Sequence, residues 1–154
     1  MSRRRIALSV AAGVVVLGAA GAAGAFALAH AGEQPPVPAN STARYTAPDG
    51  DRDGSLTFVT DVTASSGVKS VKVLAWPENS PFAEKQLTAK DMAAAEPAVC
   101  EPSAEDTVRC TYTAEVTASD AESSPRGLWH IAVLATAQDG TTTLNTETSD
   151  FTVR

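Results

Sequence analysis

Four runs in this chain alternate apolar and polar side chains with a period of two, and that period constrains the fold more than any other feature. Leu56, Phe58, Thr60 and Val62 alternate with Thr57, Val59 and Asp61, and Val71, Val73 and Ala75 alternate with Lys72 and Leu74 up to Trp76-Pro77. Val108, Cys110, Tyr112, Ala114 and Val116 form a third set; Trp129, Ile131, Val133 and Ala135 form a fourth. Successive side chains of an extended chain point to opposite faces, so each run reads as a half-buried strand. Ser65-Ser66-Gly67, Pro125-Arg126-Gly127 and Gln138-Asp139-Gly140 are turn signals between them, and the last leads into the threonine-rich segment Thr141 to Val153. Short strands spaced by turns predict an all-β fold, a single antiparallel β-sandwich. One short helical segment is expected over Leu87 to Glu96, where Thr88 is placed to cap a turn above Met92.

The N-terminus follows a different rule. Arg3, Arg4 and Arg5 precede an uncharged run from Ile6 to Ala29, and the first acid is Glu33. A basic start followed by an apolar stretch is the layout of an export signal. Ala29 and Ala31 flank His30 in an Ala-x-Ala pattern suited to cleavage before Gly32; Ala27 and Ala29 offer a second register. The uncharged run also exceeds the roughly 20 residues that span a bilayer. Residues 1–31 are therefore a signal peptide or, uncleaved, a membrane anchor through residues 6–29. Ser2 to Ile6 resembles the opening of a twin-arginine signal, which leaves the export route open between that pathway and the general one. Residues 32–44 read as a proline-rich linker, since proline at 35, 36 and 38 lacks a backbone donor. Residues 45–154 are then the folded domain.

Charge and cysteine usage agree with export. The 12 basic residues, three of them in the leader, face 18 acidic ones. That balance argues against nucleic acid and against anionic lipid surfaces, both of which need a positive patch. Cys100 and Cys110 are the only two cysteines. In an oxidising compartment they are expected to form a disulfide joining one strand to the loop before it, because a zinc site needs more ligands than this pair supplies.

The segments Asp61 to Val73 (DVTASSGVKSVKV) and Gly127 to Gly140 (GLWHIAVLATAQDG) resemble a paired-strand motif and a penultimate strand with its closing turn in bacterial extracellular immunoglobulin-like domains. The chain is similar to small secreted proteins of high-GC Gram-positive bacteria grouped as a domain of unknown function. The resemblance implies an immunoglobulin-like sandwich over about residues 45–154 and brings no functional residues with it.

Three groups of residues carry a chemical reading of their own. Asp49, Asp51 and Asp53, closed by Gly54, match the first half of a calcium loop, in which carboxylates two apart converge on one hard cation. The match then fails at Thr60, where a bidentate acid is needed, so a solvated acidic turn competes with a calcium site. Apart from His30 in the leader, His130 is the sole histidine. It is the one base available to a small hydrolase, but it is out of phase with Trp129 and Ile131 and is expected on the outer surface. Leu74 and Trp76 are out of phase with Val71, Val73 and Ala75; they form either an exposed contact surface or the floor under the Leu87 to Glu96 segment. Trp129 is expected in the core. The sequence thus points to an exported, non-catalytic binding module whose partner is a protein or a cell-wall polymer. The alternatives are a small secreted hydrolase or a calcium-binding β-domain.

Overall fold

The computed structural model describes residues 34–154. The leader, with both of its cleavage registers, lies outside the described residues. Eight strands follow in chain order: β1 (Val37–Thr46), β2 (Gly54–Thr63), β3 (Val68–Pro77), β4 (Glu96–Pro97), β5 (Val99–Ala104), β6 (Thr107–Val116), β7 (Gly127–Ala137) and β8 (Thr142–Val153). They form two antiparallel four-stranded sheets, in the orders β1-β2-β6-β5 and β4-β3-β7-β8. The inward side chains of the alternating runs meet between the sheets. Leu56, Phe58 and Val62 of β2 and Cys110 of β6 share one buried cluster with Val71 and Val73 of β3, Ile131, Val133 and Ala135 of β7, and Phe151 and Val153 of β8. Burial of this apolar surface from two facing sheets is what holds a β-sandwich together.

The stretch read as a linker is in part a strand. From Val37 onward it pairs with β2, beginning with Val37 opposite Thr63 and Pro38 opposite Val62. Proline is admitted here because β1 is the edge strand of its sheet, where one side of the backbone needs no ladder partner. The register slips between Ala39 and Thr42, with Asn40 at a φ of 52°, a left-handed conformation that asparagine tolerates better than most residues. The bulge has a task in the core. Thr60 is fully buried on β2, and its Oγ1 shares a hydrogen bond with Ser41 Oγ at 2.8 Å and donates to the Ala39 carbonyl at 3.2 Å. A buried hydroxyl left without partners is costly, so the irregular edge strand supplies what a regular ladder would not. Pro36 is also buried, and its carbonyl accepts from Thr143 Oγ1 of β8 at 2.6 Å, tying the start of β1 to the other sheet.

Within Leu87 to Glu96 only a 3₁₀ turn at Asp91–Ala94 forms, shorter than the sequence suggests, and a separate short helix, α1 (Pro81–Glu84), forms in the loop before it. Thr88 does organise the 3₁₀ turn, because its amide and hydroxyl both donate to Asp91 Oδ2, at 2.8 and 2.7 Å. These pieces form a strap, residues 78–95, over the outer face of the second sheet. Trp76, Leu87, Met92 and Ala132 are buried there, with Leu74, Phe82, Ala95, Leu134 and Leu144 packed around them. A further helix, α2 (Ala118–Ser123), joins β6 to β7. Thr117 and Asp120 form a reciprocal capping box at its start: Thr117 Oγ1 accepts from the Asp120 amide at 3.1 Å, and Asp120 Oδ2 accepts from the Thr117 amide at 3.1 Å. No helix among the described residues is long and apolar enough to cross a membrane.

Candidate functional site

The cysteines form the disulfide, but between two strands rather than a strand and a loop. Cys100 of β5 lies directly opposite Cys110 of β6, so the bond staples the hairpin that carries the edge strand β5. The turn of that hairpin passes through Asp106 at a φ of 56°. The bond fits an oxidising compartment.

The acidic turn is a tight hairpin tip. Asp49 and Arg52 exchange backbone hydrogen bonds at 3.0 and 3.1 Å around Gly50 and Asp51. Asp53 leaves the tip and sits beside Glu115 of β6, whose carboxyl it pushes above its ordinary value by sharing a hydrogen bond and by like-charge repulsion. The three aspartates are not gathered round one point. Among the described residues no group of three or more His, Cys, Asp or Glu is placed to hold a metal ion. Gly54 has a different reason to be glycine: a Cβ there would come within 2.1 Å of the Thr46 carbonyl oxygen, because the backbone of residues 46–48, where the chain leaves β1, passes close against it.

Leu74 and Trp76 take the second of the two arrangements open to them, under the strap. Trp76 is only 4% exposed, and its Nε1 donates to the Thr146 carbonyl at 3.0 Å. That carbonyl belongs to a bulge in β8, where the register with β7 slips between Ile131 and Val133. His130 corrects the expectation of a surface residue. It does lie on the outer face of β7, opposite Trp76 on β3, but that face is covered and the residue is 9% exposed. Its ring packs on Trp76 with centroids 4.6 Å apart, and Nδ1 is 2.7 Å from Asp150 Oδ1. Alternation correctly assigns the face; it carries no information about a strap arriving from elsewhere in the chain. Among the described residues no hydroxyl or thiol is hydrogen-bonded to this imidazole. The pair is therefore a base held by an acid, with no nucleophile beside it.

A concave feature of the described residues lies elsewhere, at the end of the sandwich that carries the acidic turn and α2. A cavity of about 130 Å³ opens there between the last residues of β1, β3, β6 and β8 and the first of β2 and β7. Its apolar wall includes Leu56, Val116 and Val153, together with three aromatic rings, Tyr45, Phe151 and Trp129. The rings form a row, Tyr45 to Phe151 at 5.7 Å and Phe151 to Trp129 at 5.9 Å between centroids. Trp129 reaches the core as expected but is only half-buried, because its other side faces this opening; its Nε1 donates to the Pro125 carbonyl at 2.9 Å. The remaining lining residues are Ala75, Glu115, Asp120 and Ser124. Glu115 and Asp120 line the opening, and no lysine, arginine or histidine does. Asp120 is held below its ordinary pKa by the Thr117 hydroxyl and amide, so the capping box also keeps this carboxylate ionised.

Sequence reading missed this site for two reasons. Its residues come from six strands and α2, and α2, which carries Asp120 and is followed by Ser124, was not anticipated. The signal for α2 was present in the Thr117-x-x-Asp120 spacing, which is that of a capping box.

A family model described as a family of unknown function, DUF5707, matches residues 38–135. No curated protein and no solved structure matches the chain.

Proposed function

The chain belongs to DUF5707, a family of unknown function, and we propose its role from its own architecture: an exported, non-catalytic immunoglobulin-like module that binds a ligand at the cell envelope or outside the cell. Several features support the immunoglobulin-like reading. In the letter notation of that fold, β1-β2-β6-β5 takes the order A-B-E-D and β3-β7-β8 the order C-F-G, with β4 as a short extra strand beside C. Immunoglobulin domains also fasten the corner before strand F with an aromatic side chain bonded to backbone a few residues upstream. Trp129, bonded to the Pro125 carbonyl, occupies that place. Two details differ. The disulfide lies within one sheet instead of joining two, and the strand C tryptophan, Trp76, faces outward under the strap.

Export is supported by the leader, by the disulfide and by the excess of acid over base. The observation that carries the binding role is the half-open cavity lined by Tyr45, Phe151 and Trp129. Concave, mainly apolar sites with a few placed polar groups are where small ligands bind. A hydrolase working through His130 has weaker support, since that ring is covered and has no nucleophile bonded to it. A calcium site has weaker support still, since Asp49, Asp51 and Asp53 do not converge.

The test is native mass spectrometry of the full chain after incubation with an extract of the producing cell's envelope, beside Trp129→Leu. A small mass retained by the wild type and lost from the variant is the expected result. No retained mass on either protein would sink the binding role. Intact mass from culture supernatant, lighter by two hydrogens before reduction and starting at Gly32 or His30, is the expected result for export; full-length material confined to membranes would instead make residues 6–29 an anchor.

A further inference from the structure

We infer that the end cavity takes a compact, uncharged apolar group the size of a benzene ring, held by shape and burial rather than by charge. The inference rests on the binding role proposed above and adds the chemical class of the ligand. The cavity is the unfilled last layer of the sandwich core. Leu56 and Phe151 belong to the buried cluster, and Tyr45, Ala75, Val116 and Trp129 pack against it from the inward phase of their strands. The registers set them side by side, with Tyr45 opposite Leu56 and Trp129 opposite Phe151. Protein interiors leave few voids larger than a water molecule, so a space of about 130 Å³ among core side chains is an exception. It is close to the roughly 150 Å³ of an engineered apolar cavity that binds benzene.

Charge does not select the guest, because both lining carboxylates, the Ser124 hydroxyl and the Trp129 N–H are engaged elsewhere. Glu115 is out of phase with the inward residues of β6. It is exposed, lies opposite Ser55, and shares a hydrogen bond with Asp53, which does not line the cavity. Asp120 Oδ2 accepts from the Thr117 amide and hydroxyl, at 3.1 and 2.8 Å. Ser124 Oγ donates to the Asp120 carbonyl at 2.7 Å, and Trp129 Nε1 to the Pro125 carbonyl at 2.9 Å. No lysine, arginine or histidine lines the cavity. A charged guest would therefore lose water without gaining a partner. A neutral apolar guest loses little and covers surface of Tyr45 and Trp129, which are only partly buried. A flat guest also gains from the aromatic row, whose centroids are 5.7 and 5.9 Å apart.

Such a ring belongs either to a free solute or to the end of a larger molecule, and the chemistry is the same for both. The experiment titrates the full chain with toluene, benzylamine and benzoate, read by tryptophan fluorescence and by proton NMR of the probe. It is repeated with a phenyl-terminated polyethylene glycol. Toluene is expected to bind at least about tenfold more tightly than either charged probe. Ala75→Leu, which fills part of the opening, is expected to abolish toluene binding with an unchanged near-ultraviolet circular dichroism spectrum. Should that variant fail to fold, Trp129→Leu is read in its place. Binding of toluene alone assigns the site to a small solute; binding of the polymer end as well assigns it to an end group. Both support the inference. Equal binding of the three probes, or a preference for a charged one, overturns the apolar class. Toluene binding that survives in folded Ala75→Leu overturns the cavity as its site. No probe bound, with an envelope-derived mass still retained, overturns the ligand class while the binding role stands. Neither probe nor envelope mass bound overturns both.

Discussion

Trp76 and Trp129 lie on neighbouring strands one rung apart, and yet they occupy opposite kinds of environment. Trp76 pairs with His130, and Pro77 with Trp129, so the two indoles leave the same sheet on opposite faces. Trp76 is sealed under the strap, with its N–H on Thr146 and His130 stacked against it. Trp129 stands at the rim of the core, half-buried, with a cavity in front of it. The closed region resembles a small second core with apolar contacts all round, and Ser80 Oγ in the strap is the one buried side-chain polar atom among the described residues that lacks a hydrogen-bond partner. The open region exposes part of its apolar rings to an opening, an arrangement that contributes less to stability and leaves room for a guest. Stability is concentrated in the first, and the binding role proposed above falls on the second.

The largest effect expected from breaking this contrast is in the closed region. Met92 is fully buried, and Met92→Ala should lower the free energy of unfolding by about 3 kcal/mol in urea denaturation. Trp129→Ala should cost only about 1–2 kcal/mol, since it is only half-buried, while abolishing retention of the small envelope-derived mass by the full chain. Equal losses from the two would dissolve the distinction. Next in size is the disulfide. Replacing both Cys100 and Cys110 by Ala should cost about 2–3 kcal/mol and leave probe binding unchanged, because the β5–β6 hairpin does not line the cavity near the bond. Thr117→Ala, which removes one half of the capping box, should cost about 1 kcal/mol.

The smallest effects are those of pH, and their signs separate the rim carboxylates. The folded pKa of Asp120 is below its ordinary 3.8, so its contribution is present above 3.8 and is lost as pH falls through the lower folded value. Glu115 runs the other way. Its folded pKa is above the ordinary 4.5, so the folded state is favoured below 4.5 and loses that advantage as pH rises through the folded value. Denaturant midpoints of the wild type and Glu115→Gln should therefore diverge as pH rises through that range, with the wild type the less stable at the upper end. Tyr112 offers a control far from the cavity. Burial, reinforced by its 2.6 Å hydrogen bond to Glu96 Oε2, pushes its phenol up to about 12. Absorbance titration should show one phenol ionising well above the ordinary 10.

Alternation in the sequence assigned most of the core and even the correct face of His130, because a strand's two-residue period depends only on local geometry. The disulfide was legible for a similar reason, since a chain with two cysteines leaves little choice of partner. Three features were not legible. The proline-rich start of β1 reads as a linker by composition, and its pairing with β2 depends on its place at a sheet edge. The strap over Trp76 and His130 depends on residues 78–95 folding back over a face that alternation marks as outward. The cavity depends on six elements ending at the same level.

What the sequence determined by itself is therefore the set of strands, their inward faces, the oxidised cysteine pair and the acidic character of the chain. Each follows from the chemistry of a residue and its immediate neighbours. Only the tertiary structure decided that an edge bulge would satisfy Thr60, that His130 would be covered, and that Tyr45, Phe151 and Trp129 would meet Glu115 and Asp120 round one opening. Those outcomes depend on which strand ends come together when two twisted sheets pack, and no local period encodes that distance.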